Sequence, residues 1–300
     1  MIPQFPEFKR IDLFHKQEIE TFTKNLPQYS DFNFSSMWSW DVNGDVRVSV
    51  LNENLVVRFN DYVTGDPFYS FIGTNMVNET ALALTGVARV LGVSSKLKLV
   101  PEEIAMKLDP SVFVIQEDRD NFDYICHIDE LKNYEGSKFK AKRNEIRQLS
   151  EDSTIITKEV DLRDPDTRKD ILNLFHKWKE NKADDGKDFE LNEELAFNKL
   201  LFLGDISQLV CVGVFQQDAM IAFMISEISN QDYAMGHASK ANTAIKGANA
   251  YLMKANSEIL ATYGRKYFNY EQDLGLQNLR DGKSRFNPAF FLKKFTVEEL

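Results

Sequence analysis

The chain has 300 residues, 43% of them hydrophobic and 27% charged, and carries a formal net charge of −10. These are the values of a globular chain with one large or two ordinary domains, and they exclude intrinsic disorder. The acidic balance also excludes a whole-chain field that attracts nucleic acid or anionic lipid, so any such contact needs a local basic patch.

Along the chain, Leu13 to Asn25 has helical spacing, and the aromatic-rich run Asp31 to Trp40 predicts a short helix or turn. Val46–Leu51 and Leu55–Asn60 alternate as strands, with the turn Asn52-Glu53-Asn54 between them, and Pro67–Ile72 adds a third. A helix over Glu79–Leu91 is closed by Gly92. Leu97–Val100, Val112–Gln116 and Asp123–Ile128 read as further strands, and Pro101 opens a short helix. In the second half Thr154–Val160 is a strand, and Asp166–Asn181 and Asn192–Leu203 are helices. Leu209–Gln216 and Ala219–Glu227 form a hairpin around Gln217-Asp218. Asp232–Ala238 alternates as the next strand. A polar loop leads to Gly247 and a long helix to Tyr263, stopped by Gly264. A strand over Tyr267–Glu271, a short helix around Leu276–Gly282 and a strand over Phe290–Phe295 complete the chain.

The two halves share one order: helices, a three-strand meander, a long helix, a strand, a short helix, a strand. The expected fold class is therefore α+β, built as two tandem domains, each a mixed and mostly antiparallel sheet flanked by helices. The split is expected as residues 1–130, a basic linker helix over 131–150, and residues 151–300. The order in the second half is that of the GNAT-like acyl-CoA N-acyltransferases. In that fold the strands equivalent to Asp232–Ala238 and Tyr267–Glu271 splay apart around the acyl donor. Cys126 and Cys211 lie in apolar, strand-like stretches, as free thiols of a reducing compartment do. The first residues lack a secretory pattern, and no apolar run nears the roughly 20 residues of a membrane span. The expected location is cytoplasmic.

Two stretches carry candidate chemistry. Lys132 to Arg147 holds six basic and two acidic side chains, a local inversion of the chain's field. Read as a helix from Ser137, it aligns Arg143 with Arg147. Lys138, Lys140, Lys142, Arg143 and Asn144 are the candidate phosphate contacts, and a solvated linker helix is the alternative. The second stretch follows Tyr267: an extended backbone there puts Asn269, Glu271 and Asp273 on one face. Glu271 or Asp273 suits a general base on an acceptor amine or a partner for its ammonium form. Arg280 and Lys283 suit a phosphate or an oxyanion, or the group is a structural ion-pair cluster. His237 faces the gap between the strands if the register holds; otherwise it is a hydrogen-bonded strand histidine. Gly247 opens its helix with one glycine and one lysine, a poor match to the glycine-rich phosphate loop of CoA enzymes. His and Cys show no metal-ligand spacing, and no Walker, Rossmann or nucleophile-elbow motif is present.

The tail Asn269-Tyr-Glu-Gln-Asp273-Leu-Gly275-Leu-Gln-Asn-Leu279-Arg280-Asp-Gly-Lys283-Ser-Arg-Phe286-Asn-Pro288 resembles the C-terminal domain of bacterial phosphatidylglycerol lysyltransferases. So do Lys138-Phe-Lys140-Ala-Lys142-Arg143-Asn144 and the early Asp31-Phe-Asn-Phe-Ser-Ser-Met-Trp38. The resemblance implies two tandem acetyltransferase-like domains, as in the Fem aminoacyltransferases. It also implies transfer of an aminoacyl group from charged tRNA to an amine or hydroxyl, with no tightly bound cofactor. Aminoacyl-tRNA is the expected donor and acetyl-CoA the lesser alternative. A tRNA partner would use the basic patch, and any membrane contact would be peripheral. The chain departs from the lysyltransferases in having no transmembrane part, and the acceptor is left open between a lipid head group, a peptide and a small molecule. The rival readings are a CoA-dependent N-acyltransferase and a non-catalytic polyanion-binding protein.

Overall fold

The computed structural model describes residues 1–182, 190–229 and 232–300. In chain order the first strands and helices are β1 (Lys9–Arg10), α1 (Lys16–Thr23), α2 (Phe34–Trp40), β2 (Arg47–Leu51), β3 (Asn54–Asn60), β4 (Pro67–Ile72), α3 (Val77–Val90), β5 (Leu97–Pro101), α4 (Glu102–Ala105), β6 (Phe113–Glu117) and β7 (Asp123–His127). There follow α5 (Ile128–Asn133), α6 (Lys140–Glu151), β8 (Ile155–Val160), α7 (Pro165–Lys182), α8 (Glu190–Phe202), β9 (Leu209–Gln216), β10 (Ala219–Ile228) and β11 (Tyr233–Ala241). The last are α9 (Ala248–Thr262), β12 (Tyr267–Asn269), α10 (Gln277–Ser284), β13 (Phe290–Leu292) and β14 (Lys294–Glu299). The class is α+β, as the alternation of patterns predicts.

The chain forms two compact units, and neither is continuous in sequence. One comprises Met1–Tyr124, Glu271–Lys283 and Phe291–Leu300; the other comprises Ile125–Tyr270 and Ser284–Phe290. This differs from the expected split. Residues 131–150 belong to the body of the second unit, and much of the tail belongs to the first. The physical reason lies in the last strand. The expected single strand Phe290–Phe295 breaks at Lys293, and β14 inserts between β5 and β6 as the centre of a three-stranded sheet. Its Val297 and Phe295 are buried.

The rest of the first unit is a β1-β2-β3-β4 sheet. The β2–β3 hairpin turns through Asn52 (φ 51) and Glu53 (φ 62), the pair of left-handed residues that a two-residue turn requires. The second unit is organised by a seven-stranded sheet of order β13-β7-β12-β11-β10-β9-β8. Its core joins Leu252, Met253 and Leu260 of α9 to Val212, Met224 and Ala234 of the sheet and to Ile146 and Leu149 of α6. Each such side chain, fully buried, contributes roughly 1.5–3 kcal/mol.

Close approach decides one residue at the start of α9. Gly247 has φ +84, and a Cβ placed there would lie 2.4 Å from the carbonyl oxygen of Glu145 in α6. The helix therefore begins against the α6 backbone, and only glycine provides both the conformation and the space. Gly247→Ala should cost about 2–3 kcal/mol, read as a lower urea midpoint. An unchanged midpoint would show that the two helices separate without penalty.

Candidate functional site

The second unit holds the point where two strands part. β11 and β12 run parallel through three pairs, Tyr233 with Tyr267, Ala234 with Phe268 and Met235 with Asn269. β11 then continues to Ala241 along β10, while β12 ends at Asn269. Their pairing thus stops after Met235 and Asn269, at the place where the strands are expected to part. Gly236 sits at its vertex, where a Cβ would lie 2.5 Å from the Phe268 ring.

One residue further, the β10–β11 register slips: Ser226 opposes Gly236 and Ile225 opposes Ala238, so His237 is an extra residue in a β-bulge. Bulges re-aim side chains, and they recur beside active sites. Nε2 of His237 lies 3.0 Å from Oε2 of Glu227. Both side chains are buried, 3% and 6% exposed. Asn269 is buried at the end of β12. Beyond it the Tyr270 hydroxyl hydrogen-bonds Ser239 of β11, and burial pushes this phenol up to about 12.

The basic residues divide by job. Lys142 is buried; its ammonium lies 4.4 Å from the Phe286 ring centroid and 3.1 Å from Glu145. Arg143 donates to the carbonyls of Tyr134 and Gly136 and so closes the end of α5. Lys138 pairs with Glu130 at 2.7 Å. Lys140, Asn144 and Arg147 are exposed along α6. The expectation that all five residues from Lys138 to Asn144 contact phosphate is thus corrected at Lys142, whose head packs inward.

The expected face of Asn269, Glu271 and Asp273 does not form. The backbone leaves the extended region at Glu271 (φ 56) and turns again at Leu274 (φ 55) and Gly275 (φ 72). For non-glycine residues that conformation is costly and is kept only where the surroundings enforce it. Asp273 supplies the enforcement. Fully buried, it accepts bonds from Tyr124 (2.6 Å), Arg119 (3.2 Å), Arg280 (3.0 and 2.9 Å) and the Gly275 N–H (2.9 Å). Burial raises its pKa, but the bonds from Arg280, Tyr124 and Gly275 outweigh that and hold the carboxyl below its usual range. A carboxylate so engaged has no lone pair for a substrate proton, and this corrects the general-base expectation for Asp273. Arg280, also paired with Asp120 at 2.6 Å, is a clamp for the same turn.

Glu271 accepts from Ser36 (3.3 Å), and half-buried Lys283 is lowered by burial. Beside them lies a group absent from the sequence reading. Lys294, with no exposed surface, is ion-paired with Asp31 and, at 2.7 Å, with Asp123. Ser30 donates its backbone N–H and hydroxyl to Asp123 (2.8 and 2.6 Å), and Gln272 donates to Asp31 (3.2 Å). A lysine in the apolar run Phe290–Phe295 was the available signal for this cluster, as Glu227 in the apolar run of β10 was for the histidine pair. Among the described residues no group of three or more His, Cys, Asp or Glu is placed to hold a metal, and no helix is long and apolar enough to cross a membrane. Cys126 and Cys211 are buried free thiols, and burial pushes Cys211 far up, as expected of an inert core cysteine.

The family model described as phosphatidylglycerol lysyltransferase, C-terminal, matches residues 23–298. A conserved protein of unknown function from Bacteroides thetaiotaomicron VPI-5482 superposes with TM-score 0.85 at 26% identity, over 99% of both chains. The C-terminal domain of a putative lysylphosphatidylglycerol synthetase from Agrobacterium fabrum follows at TM-score 0.65 and 11% identity, over 95% of this chain and 92% of that one. FemX gives TM-score 0.61 at 11% identity, over 97% and 96%. The last two likenesses are of fold, which is the tandem GNAT-like architecture. No curated protein sequence matches the chain.

The lysine cluster makes a test. Burial, offset by Lys294 and reinforced by Asp123, pushes Asp31 up to about 6, above its ordinary value of 3.8. The folded state then binds the proton more tightly, so this group's contribution to stability is present at low pH and lost as pH rises through about 6. Asp31→Asn should flatten that fall and leave the protein at least as stable at pH 7, by about 1–3 kcal/mol. Melting temperatures of both proteins across that pH range decide it; a variant that loses stability at pH 7 would show the ionised pair to be net stabilising.

Proposed function

The chain belongs to the family of phosphatidylglycerol lysyltransferase C-terminal domains, and from that premise we propose that it moves an aminoacyl group from charged tRNA to an amine or hydroxyl acceptor. The observation that carries this reading is the parting of β11 and β12 with the buried His237–Glu227 pair at its edge.

The chemistry asked of the protein is modest, because the tRNA ester is already activated. The acceptor nitrogen or oxygen attacks the ester carbonyl, a tetrahedral oxyanion forms, and the ester C–O bond breaks. The proton leaves the acceptor and ends on the ribose hydroxyl that departs. Holding the partners in place and accepting that proton in passing supply most of the rate. His237 is assigned as the proton carrier, and Asn269, at the end of the parted β12, as a hydrogen-bonding partner for the reacting groups. Lys140 and Arg147, with Lys138, Arg143 and Asn144 beside them, are assigned to donor phosphates. Asp273 and Arg280 keep the Glu271 turn in shape. Gly247 serves the close packing of α9 on α6, and the helix N-terminus it opens favours an anion.

Purified protein titrated with bulk tRNA should bind it more weakly as salt rises, and Lys140→Ala/Arg147→Ala should lower the slope of log affinity against log salt by about 1–2. Charged-tRNA transfer to added amines should be lost in His237→Ala while tRNA binding persists. Saturable binding of acetyl-CoA with tRNA ignored would replace this reading by a CoA-dependent one.

A further inference from the structure

Residues 2–11 form a strap along the outer side of β2. The Phe5 N–H donates to the Val50 carbonyl (2.9 Å), the Val50 N–H to Pro3 (2.9 Å) and the Ile11 N–H to Val46 (3.1 Å), and β1 pairs with β2 between them. Ile2 and Ile11, at the two ends, are each 3% exposed. A bare strand edge invites wrong pairing, and the strap covers this one. Both of its ends are fastened by the turn and helix that follow. The Ile2 N–H donates to the Glu18 carboxylate (3.0 and 2.9 Å), and the Asp12 N–H donates to Nδ1 of His15 (3.1 Å).

His15 has no exposed surface. A backbone N–H only donates, so Nδ1 holds a bare lone pair and the neutral ring carries its hydrogen on Nε2. Nε2 has no partner among the described residues. The ring's bond to Asp12 exists only in the neutral form. With hydrogen on both nitrogens, Nδ1 meets the Asp12 N–H donor to donor, and a buried cation is left with neither nitrogen bonded.

We propose that His15 is an acid-sensitive latch: its neutral ring fastens the strap at Asp12, and its protonation frees the strap from β2, beginning at that end. Burial holds the ring below its ordinary value of 6.5, helped by the Met1 amino group and Lys9; Glu18 and Asp12 oppose them. The strap's other charges are Glu7 and Arg10, the latter 4.0 Å from Asp41. On α1, Lys16 pairs with Glu20, and Lys24 stands at the far end. α2 has no ionisable side chain, and Arg58 of β3 donates to the Asp45 carbonyl. The closed strap therefore binds the proton less tightly than the open one, in which His15 meets water. Closure is fully favoured above about 6.5 and weakens as pH falls below it.

Hydrogen exchange of the full chain, followed by mass spectrometry between about pH 4 and pH 8 and corrected for the intrinsic rate, reads the strap directly. In wild type, protection of the strap amides should fall roughly tenfold per pH unit below about 6.5, with the strap exchanging ahead of β14 throughout. His15→Asn offers Asp12 an oxygen acceptor that does not titrate, and its strap protection should stay level. Nitrogen NMR of wild type, with His15 assigned by its loss in that variant, should show the hydrogen on Nε2 at neutral pH. Protection that is flat with pH in wild type, that falls equally in His15→Asn, or that is lost only together with β14 would overturn the proposal, as would hydrogen on Nδ1. Should His15→Asn fail to fold, wild type alone decides: the fall in protection must continue until the ring titrates and level there.

Discussion

The first unit depends on one buried ammonium. Lys294 comes from the last strand, Asp31 from the turn before α2, and Asp123 from the start of β7. All three are at most 1% exposed. Removing Lys294 would leave two carboxylates facing each other in a place without water, which is far costlier than never having buried the set, whereas removing Asp31 leaves the Lys294–Asp123 pair matched. The same cluster reaches Gln272 through Asp31, and so abuts the turn that carries Glu271. Asp273, with its two arginines and its tyrosine, holds that turn from the other side. Together they account for a run of left-handed residues that propensity alone would not support.

The division of charged residues into structural and available ones follows from burial. Asp273 and Lys142 are spent on packing and hydrogen bonds, whereas Lys140 and Arg147 lie exposed on α6. The histidine pair is a third kind: two ionisable side chains buried against each other at a β-bulge. Such groups are expensive in a core, and their presence at a strand irregularity is the strongest local argument for chemistry in the second unit.

Much of the architecture was legible in sequence because period and punctuation agree. Leu209–Gln216 alternates and ends at a polar pair, and β9 has those bounds. Pro67–Ile72 became β4 in the same way. What was not legible depends on backbone conformation or on distant partners. Nothing in Tyr270-Glu271-Gln272 announces that the chain turns left-handed at Glu271, so a plausible polar face was read where none exists. The bulge at His237 depends on the register of β10, which a single strand does not encode. Lys142 looks like its neighbours until Phe286, far along the chain, is placed over it. The resemblance drew attention to Asp31 through its aromatic run, but its partner Lys294 lay outside every quoted motif.

The insertion of β14 between β5 and β6 also sets an order of events. The two outer strands of that sheet precede the second unit in the chain, yet the strand that joins them follows it. Until it arrives, β5 and β6 present two unpaired edges and the apolar faces of Leu97 and Phe113 without their cover. The second unit needs only residues up to Phe290 and so has all its strands but part of β13 in hand sooner. The first unit therefore closes only after the second has its residues, and in the interval its open strand edges are the ones exposed to wrong pairing.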